Sequence, residues 1–575
     1  LENETVKIFA KLNHSAHFIN HLEDKSFLWS PDGKYIAYLS TAPNSKTEGL
    51  SRVRVMNRLL YKTKGGRGRS MYNDGLYTHV FILSVSDGTS KMITDEPFHN
   101  HSISWSANSL EVAFVSNRTI DPDNNQNNDL WKINIATKKC KRLTQDLGTV
   151  YNPKWSPCGK FIAYLATKSL LNTNDSMAED THIHYVPADG GTAFDVTESL
   201  DCRVVDFLWH STGKSIYFTA ENKGESPLYS VSMASKKIEI IMHSTEQRIL
   251  DFDVEPVEGK IAFARTDITH PTEIFTQKKL GDDIVQLTNE NTELVKNYFF
   301  QKADNFWFNS FDGTKIQGWI MKPVNFDSTK MYPLILAVHS GPHNMFGYEF
   351  EKRIQLLAAS GYATLCINPR GSSGYGQNFS NGNLMDWGGA DYKDLMFGVD
   401  YNIARYNWID KHRLGVTGQS YGGYMANWII TQTNRFKAAV VDGGISNLIS
   451  FSGTSVINSL IESDFNGDVY CNYDLLWERS PLRYSAKVST PTLFLHGEVD
   501  NEVPPSQAEE MYTALKKRGI NTTLVLYVGE GHGWRPDLKP ENEKDLLKRM
   551  INWFNLHITT DEDAKNINDY RNPSL

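Results

Sequence analysis

Cysteine is scarce in this chain of 575 residues: Cys140, Cys158, Cys202, Cys366 and Cys471 are an odd number, widely spaced, with no C-x-x-C pair. That pattern argues against a disulfide framework and a zinc site, and fits a reducing compartment. No apolar run approaches the roughly 18 to 20 residues that a membrane helix needs. Charge of one sign is not in surplus either. The net charge of −8 and pI of about 6.1 give no pull toward nucleic acid or an acidic membrane. The densest basic stretch, "YKTKGGRGRS" over 61–70, is glycine-rich and reads as a solvated loop. The opening segment "LENETVKIFAKLNHS" mixes both charges and does not read as a signal peptide, so the expected compartment is the cytoplasm.

What is present is enough for two or more domains, since 40% of the residues are hydrophobic and 22% charged, as in globular proteins with sizeable cores. The first half repeats itself. "WSPDGKYIAY" starts at Trp29, "WSANSLEVAF" at Trp105, "WSPCGKFIAY" at Trp155 and "WHSTGKSIYF" at Trp209, with an eroded fifth copy, "VEPVEGKIAF", from Val254. The tryptophans are 76, 50 and 54 residues apart, the scale of a propeller blade. Each copy reads as a strand ending on Trp, a tight turn and an alternating strand. Further hairpins follow, such as "HVFILSVSDGTSKMIT" (79–94) and "DLWKINIATKKCKRLT" (129–144). Two hairpins per repeat make one four-stranded blade. Five copies plus the long first gap give an expected β-propeller of six or seven blades over 21–299.

From about residue 300 the rhythm changes to short, nearly continuous apolar runs: "YPLILAVH" (332–339), "GYATLCIN" (361–368), "RLGVTG" (413–418), "FKAAVVDGG" (436–444), "TPTLFLHG" (490–497) and "TTLVLYVG" (522–529). These read as strands of a parallel sheet buried on both faces, with helical stretches between them. An α/β domain is expected over 300–558, followed by a polar tail over 559–575 that frays or runs over the surface.

One turn in this half carries chemistry. "VTGQSYGGYMAN" (416–427) places Ser420 between a strand and a helix in a G-x-S-x-G pattern, the setting of a nucleophile elbow. Gly418 and Gly422 are required there because the turn is sharp and the chain passes close to its neighbours. A serine hydroxyl needs a base. "HGEVDNEVP" places Asp500 after one strand and "VGEGHGW" places His532 after the next, in the order Ser, Asp, His and at the sheet edge where such folds collect their chemistry. The expected roles are Ser420 as nucleophile, His532 as general base with a pKa near 7, and Asp500 as the group that orients it. The N–H of Tyr421 and that of Gly341 in "HSGPH" (339–343) are the expected oxyanion donors, with His339 structural. Phe465, Trp477 and Val503 are candidates for an apolar substrate pocket, although packing is the commoner fate of such residues. Nothing in this set calls for a cofactor or a metal.

The chain resembles the prolyl oligopeptidase family of serine peptidases, and within it the acylaminoacyl peptidase branch. The resemblance runs from "FDGTKIQGWIMKP" (311–323) through "HSGPH", "NPRGSSGYG", "DWGGADYKD", "GQSYGGYMA" and "ERSPLRYSAKVSTPTLFLHGEVD" to "EGHGW". It implies an N-terminal propeller that caps an α/β-hydrolase domain and admits short peptides. It also implies an N-terminal helix over 1–20 packed on the hydrolase domain, and homo-oligomers, with a dimer favoured. The expected substrates are short N-acylated peptides. The alternatives are a dipeptidyl or prolyl oligopeptidase, a broad esterase, or a propeller interaction module carrying an inactive hydrolase. Two positions depart from the family pattern. Ser340 stands where a glycine is usual, and Glu502 stands where many acylaminoacyl relatives carry an Arg that contacts the substrate peptide carbonyl.

Overall fold

The computed structural model describes residues 26–560 except 43–52, 64–71, 74, 146–147, 168–177, 256, 258, 280 and 534–538. The helix expected over 1–20, most of the basic stretch at 61–70 and most of the tail after 559 lie outside the described residues. All five cysteines are free thiols. No helix among the described residues is long and apolar enough to cross a membrane.

The repeats fold as their pattern requires. Strands Phe27–Trp29, Asn100–Trp105, Val150–Trp155 and Val204–Trp209 each end on the repeat tryptophan. Each opens a four-stranded antiparallel sheet, and Arg248–Val254 opens a fifth. The turn after the tryptophan needs a left-handed residue. Gly33, Gly159, Gly213 and Gly259 supply it, and Ser109 takes the same conformation (φ 60°) in the copy that has no glycine. The tryptophans also stitch neighbouring blades together. Trp105 Nε1 donates to the carbonyl of Leu28 at 3.1 Å, and Trp209 Nε1 to that of Lys154 at 2.9 Å. In both pairs the acceptor lies one residue before the preceding copy's tryptophan. Alternate residues of one strand serve two interfaces: Val112 and Phe114 pack toward the first sheet, Ala113 and Val115 toward the third.

Among the described residues there are five such sheets, not the expected six or seven blades. The 76-residue first gap holds no extra sheet there. It is taken up by the connection between strands Tyr35–Thr41 and Thr78–Ser84, whose only described pairing is the isolated bridge of Lys62 with Tyr72.

Between Gln286 and Ala303 the chain passes to an eight-stranded sheet. Its order is Ala303–Asn309, Lys315–Met321, Ala363–Asn368, Tyr332–Val338, Ile409–Gln419, Phe436–Asp442, Thr492–Gly497 and Thr522–Tyr527. The first two strands form an antiparallel hairpin that joins the sheet antiparallel; from Ala363–Asn368 onward every pairing is parallel. Burial on both faces explains the continuous apolar runs of the central strands, whereas the edge strand Thr522–Tyr527, expected to be buried likewise, is only partly so because it has a neighbour on one side alone. Leu334, Leu336, Ala439, Val441 and Phe494 point into one core, while Ile335, Ala438, Val440, Leu493 and Leu495 point into the other, beneath helix Pro540–Ile558.

The two regions meet over the loops at the carboxyl ends of the parallel strands. Arg203 Nη1 donates to the His343 carbonyl at 3.1 Å, and Tyr348 N donates to the Gly224 carbonyl at 2.8 Å. Lys62 Nζ reaches the Thr454 carbonyl at 2.7 Å, and the buried Asn501 Nδ2 donates to the Thr63 carbonyl at 3.0 Å.

Candidate active site

Strand Ile409–Gln419 runs through the middle of the large sheet and stops one residue before Ser420, and helix Tyr421–Gln432 starts one residue after it. Ser420 is held at φ 57°, ψ −118°, a conformation that side chains other than glycine rarely adopt. The elbow is possible because its glycines let backbones touch. A Cβ on Gly418 would sit 2.3 Å from the Gly422 carbonyl oxygen, one on Gly422 2.2 Å from that of Val338, and one on Gly423 2.6 Å from the Gly444 Cα. Ser420 N donates to the Asp442 carbonyl at 2.9 Å, which ties the elbow to the neighbouring strand.

The three expected residues come together. His532 Nε2 lies 3.0 Å from Ser420 Oγ, and His532 Nδ1 lies 2.7 Å from Asp500 Oδ2. Asp500 is 1% exposed and Ser420 9%, so the carboxylate is dry while the hydroxyl keeps an opening. The second Asp500 oxygen accepts the Val503 N–H at 2.9 Å, which fixes the carboxylate plane. Because Nδ1 faces a carboxylate it carries the hydrogen, which leaves Nε2 to take the proton of Ser420. Burial pulls the His532 pKa down, but Asp500, Glu502 and Asp442 together raise it to about 9. This lies above the expected value near 7 because the charges of Glu502 and Asp442 add to that of Asp500, the carboxylate that bonds the imidazole.

The loop after strand Tyr332–Val338 brings Gly341 in at φ 126°, and a Cβ there would meet His343 N at 2.6 Å. No other residue fits this turn without moving it. His339 is buried, bonded through Nε2 to Ser372 Oγ at 2.9 Å, and burial lowers its pKa to about 4. It stays neutral, in keeping with a structural part. Ser340 uses its carbonyl to accept from His339 Nδ1 at 2.7 Å, so the glycine-to-serine departure leaves a satisfied turn.

The candidate pocket residues separate. Val503 bonds Asp500 through its N–H, and Glu502 is near enough for its charge to act on His532. Phe465 is fully buried against Trp387, ring centroids 5.8 Å apart, and Trp387 meets Tyr421 edge-on at 5.1 Å. Trp477 is half-buried on helix Val469–Glu478, and none of its described contacts joins it to the triad. Sequence reasoning missed several polar groups behind the site: Asp391, which accepts from the Tyr421 hydroxyl; Asp464, which accepts from Trp387 and meets His343; and Asp442, paired with Arg353 at 2.7 Å. The motif "DWGGADYKD" was a signal for one of these side chains, Asp391, and for Trp387, the donor to Asp464. No group of His, Cys, Asp and Glu that could hold a metal ion occurs among the described residues.

The profile of the prolyl oligopeptidase family matches residues 348–561. The chain is 34% identical over 554 residues to the uncharacterized peptidase YuxL of Bacillus subtilis, covering 92% of this chain and 83% of that protein. It is 26% identical over 561 residues to dipeptidyl-peptidase 5 of Porphyromonas gingivalis, covering 92% and 79% respectively. In fold it resembles the acylaminoacyl peptidase of Pyrococcus horikoshii, with a TM-score of 0.80 at 22% identity over 93% of this chain and 81% of that one. The chain belongs to the prolyl oligopeptidase family of serine peptidases.

Proposed function

We propose that this peptidase hydrolyses short peptides through an acyl-enzyme and releases N-acylated amino acids from blocked peptides. The observation that carries the chemistry is the relay of Ser420, His532 and Asp500 at 3.0 and 2.7 Å. Ser420 Oγ attacks the scissile carbonyl carbon while its proton passes to His532 Nε2. The oxygen that becomes negative is received by the N–H groups of Gly341 and Tyr421. The C–N bond then breaks, His532 gives its proton to the leaving amine, and water repeats the sequence to free the acid and Ser420. Asp500 keeps the imidazole in the required tautomer throughout.

The choice of substrate end rests on the resemblance to acylaminoacyl peptidases. A second reading, removal of dipeptides with a free amino terminus, is supported by the relatives named dipeptidyl-peptidase 5 and by Glu502, a carboxylate rather than a guanidinium beside the triad. Phe465 and Val503 would form apolar walls of the pocket for the acyl residue. Contacts of the propeller with the His343 and Asn501 loops support a cap that admits short peptides, and the working form is proposed as a cytoplasmic homodimer.

Turnover of matched acetyl-aminoacyl, Gly-Pro and unblocked aminoacyl anilides tests the proposal, with Glu502→Arg run beside the parent. Preference for the acetylated set, strengthened in Glu502→Arg, is the expected result. Preference for free amino termini, lost in Glu502→Arg, would replace the acyl reading with the dipeptidyl one.

A further inference from the structure

Each proposed oxyanion donor has its own buried aspartate behind it. Tyr421 is the first residue of the helix after Ser420, and its phenol donates to Asp391 Oδ2 at 2.5 Å. Asp391 Oδ1 accepts the Tyr392 N–H at 2.7 Å, so both carboxylate oxygens are committed. Asp391 lies in the first turn of helix Ala390–Arg405 and is 0% exposed. The phenol of the residue that carries one proposed donor N–H is thereby anchored to a second helix.

The second donor is held in a similar way. His343 stands two residues beyond Gly341, with Nδ1 2.8 Å from the Gly371 carbonyl and Nε2 3.1 Å from Asp464 Oδ2. The Gly371 contact requires a hydrogen on Nδ1. A second proton must then lie between Nε2 and Asp464, so the pair is an imidazolium with a carboxylate or a neutral imidazole with a carboxylic acid. The same Oδ2 also accepts Trp387 Nε1–H at 2.9 Å, and Asp464 is 0% exposed. Trp387 packs between the two systems, edge-on to Tyr421. Burying such groups is a poor route to stability compared with well-packed apolar side chains. What the arrangement supplies is a fixed position for two backbone N–H groups.

We infer that Asp391 and Asp464 are positioning residues of the oxyanion hole, Asp391 acting on the Tyr421 donor through its phenol and Asp464 on the Gly341 donor through His343. This rests on the reading of Gly341 and Tyr421 as donors given above.

Conservative changes separate this role from a general structural one. Tyr421→Phe removes the phenol oxygen but keeps the ring and the N–H. At position 391 an asparagine can donate to the phenol oxygen and still accept from Tyr392, whereas an alanine can do neither. At position 464 an asparagine cannot serve both partners: its oxygen suits Trp387 and its nitrogen suits neutral His343, but both partners meet the same atom. Trp387→Phe removes one donor from Asp464 and keeps most of the ring volume.

The experiment measures kcat and KM on one peptide anilide, inhibition by a peptidyl trifluoromethyl ketone, thermal melting and fluorophosphonate labelling, all on the full chain. Tyr421→Phe, Asp391→Ala and Asp464→Asn are expected to lower kcat about 10- to 100-fold with KM within about twofold. Inhibition by the ketone, whose adduct carries the oxyanion, is expected to weaken in step. Asp391→Asn recovers most of what Asp391→Ala loses, the Asp391→Ala/Tyr421→Phe double variant is no worse than the poorer single, and Trp387→Phe loses several-fold in kcat. The inference is overturned if Tyr421→Phe and Trp387→Phe, folded and labelled, keep the parent kcat, or if kcat falls while ketone inhibition does not change. A parent protein that neither takes the label nor turns over any anilide would overturn the catalytic reading itself, and this inference with it.

Discussion

Removing the charge of Glu502 should move the pH dependence of the reaction, because that carboxylate is one of three that hold the His532 proton. Glu502 is two residues from Asp500, which bonds the imidazole directly. Glu502 acts on the ring through its charge, and at a separation on the order of 7 Å, the span of two extended residues, the size of that effect follows. The side chain is half-buried, so an effective dielectric of about 40 to 80 applies, and the attraction is roughly 0.6 to 1.2 kcal/mol. This corresponds to about 0.4 to 0.9 pH units. The sign follows from the charge state: without the carboxylate the imidazolium is less stable and the neutral base appears at lower pH. For the parent, kcat/KM should rise with pH through a midpoint near 9, which reports the free enzyme. Glu502→Gln should shift that limb down by about 0.4 to 0.9 units, and less at high salt, where screening weakens the parent interaction. The assay is kcat/KM from pH 6 to 10 on an acetylated anilide, which has no titrating amino group. A midpoint that does not move, or moves upward, would refute the electrostatic argument.

Other consequences are as direct. Gly422→Ala forces a Cβ to within 2.2 Å of the Val338 carbonyl oxygen, so the elbow must shift, and activity should fall by at least about 100-fold, measured beside a melt. Trp209→Phe removes the donor to the Lys154 carbonyl and should cost about 1 kcal/mol of stability in chemical denaturation with kcat unchanged. A peptide series from three to about forty residues, with casein, tests the cap: turnover should fall steeply with length, and efficient casein digestion would mean that the propeller does not restrict entry.

The repeats were legible because each carries its own local physics: a strand, a left-handed turn position and a tryptophan that reaches the preceding blade. Their number was not, since the spacing between Trp29 and Trp105 measures chain length, and among the described residues that length holds a connection and no further sheet. Ser420, Asp500 and His532 could be found because each follows a strand whose apolar run is plain in the sequence, although the strand before His532 is a partly exposed edge strand. The antiparallel hairpin Ala303–Met321 went unread as part of the sheet, because its pairing with Ala363–Asn368 is set by tertiary packing. The groups behind the site were hidden for a related reason. Tyr421 and Asp391 are 30 residues apart, and His343 and Asp464 are 121 apart, so no local pattern joins them. The neighbours that hold His532 above the ordinary histidine range, Glu502 and Asp442 beside Asp500, come near it only once the fold is made.

The central claim is that Ser420, poised 3.0 Å from His532, is the nucleophile. Its most direct test is fluorophosphonate labelling of the parent and of Ser420→Ala, with the modified peptide identified by mass spectrometry and turnover measured on the same samples. One equivalent of label on Ser420, no label on the variant, and a loss of several orders of magnitude in kcat with an unchanged melt is the expected result. Label on another residue, or near-parental turnover by a folded Ser420→Ala protein, would contradict it.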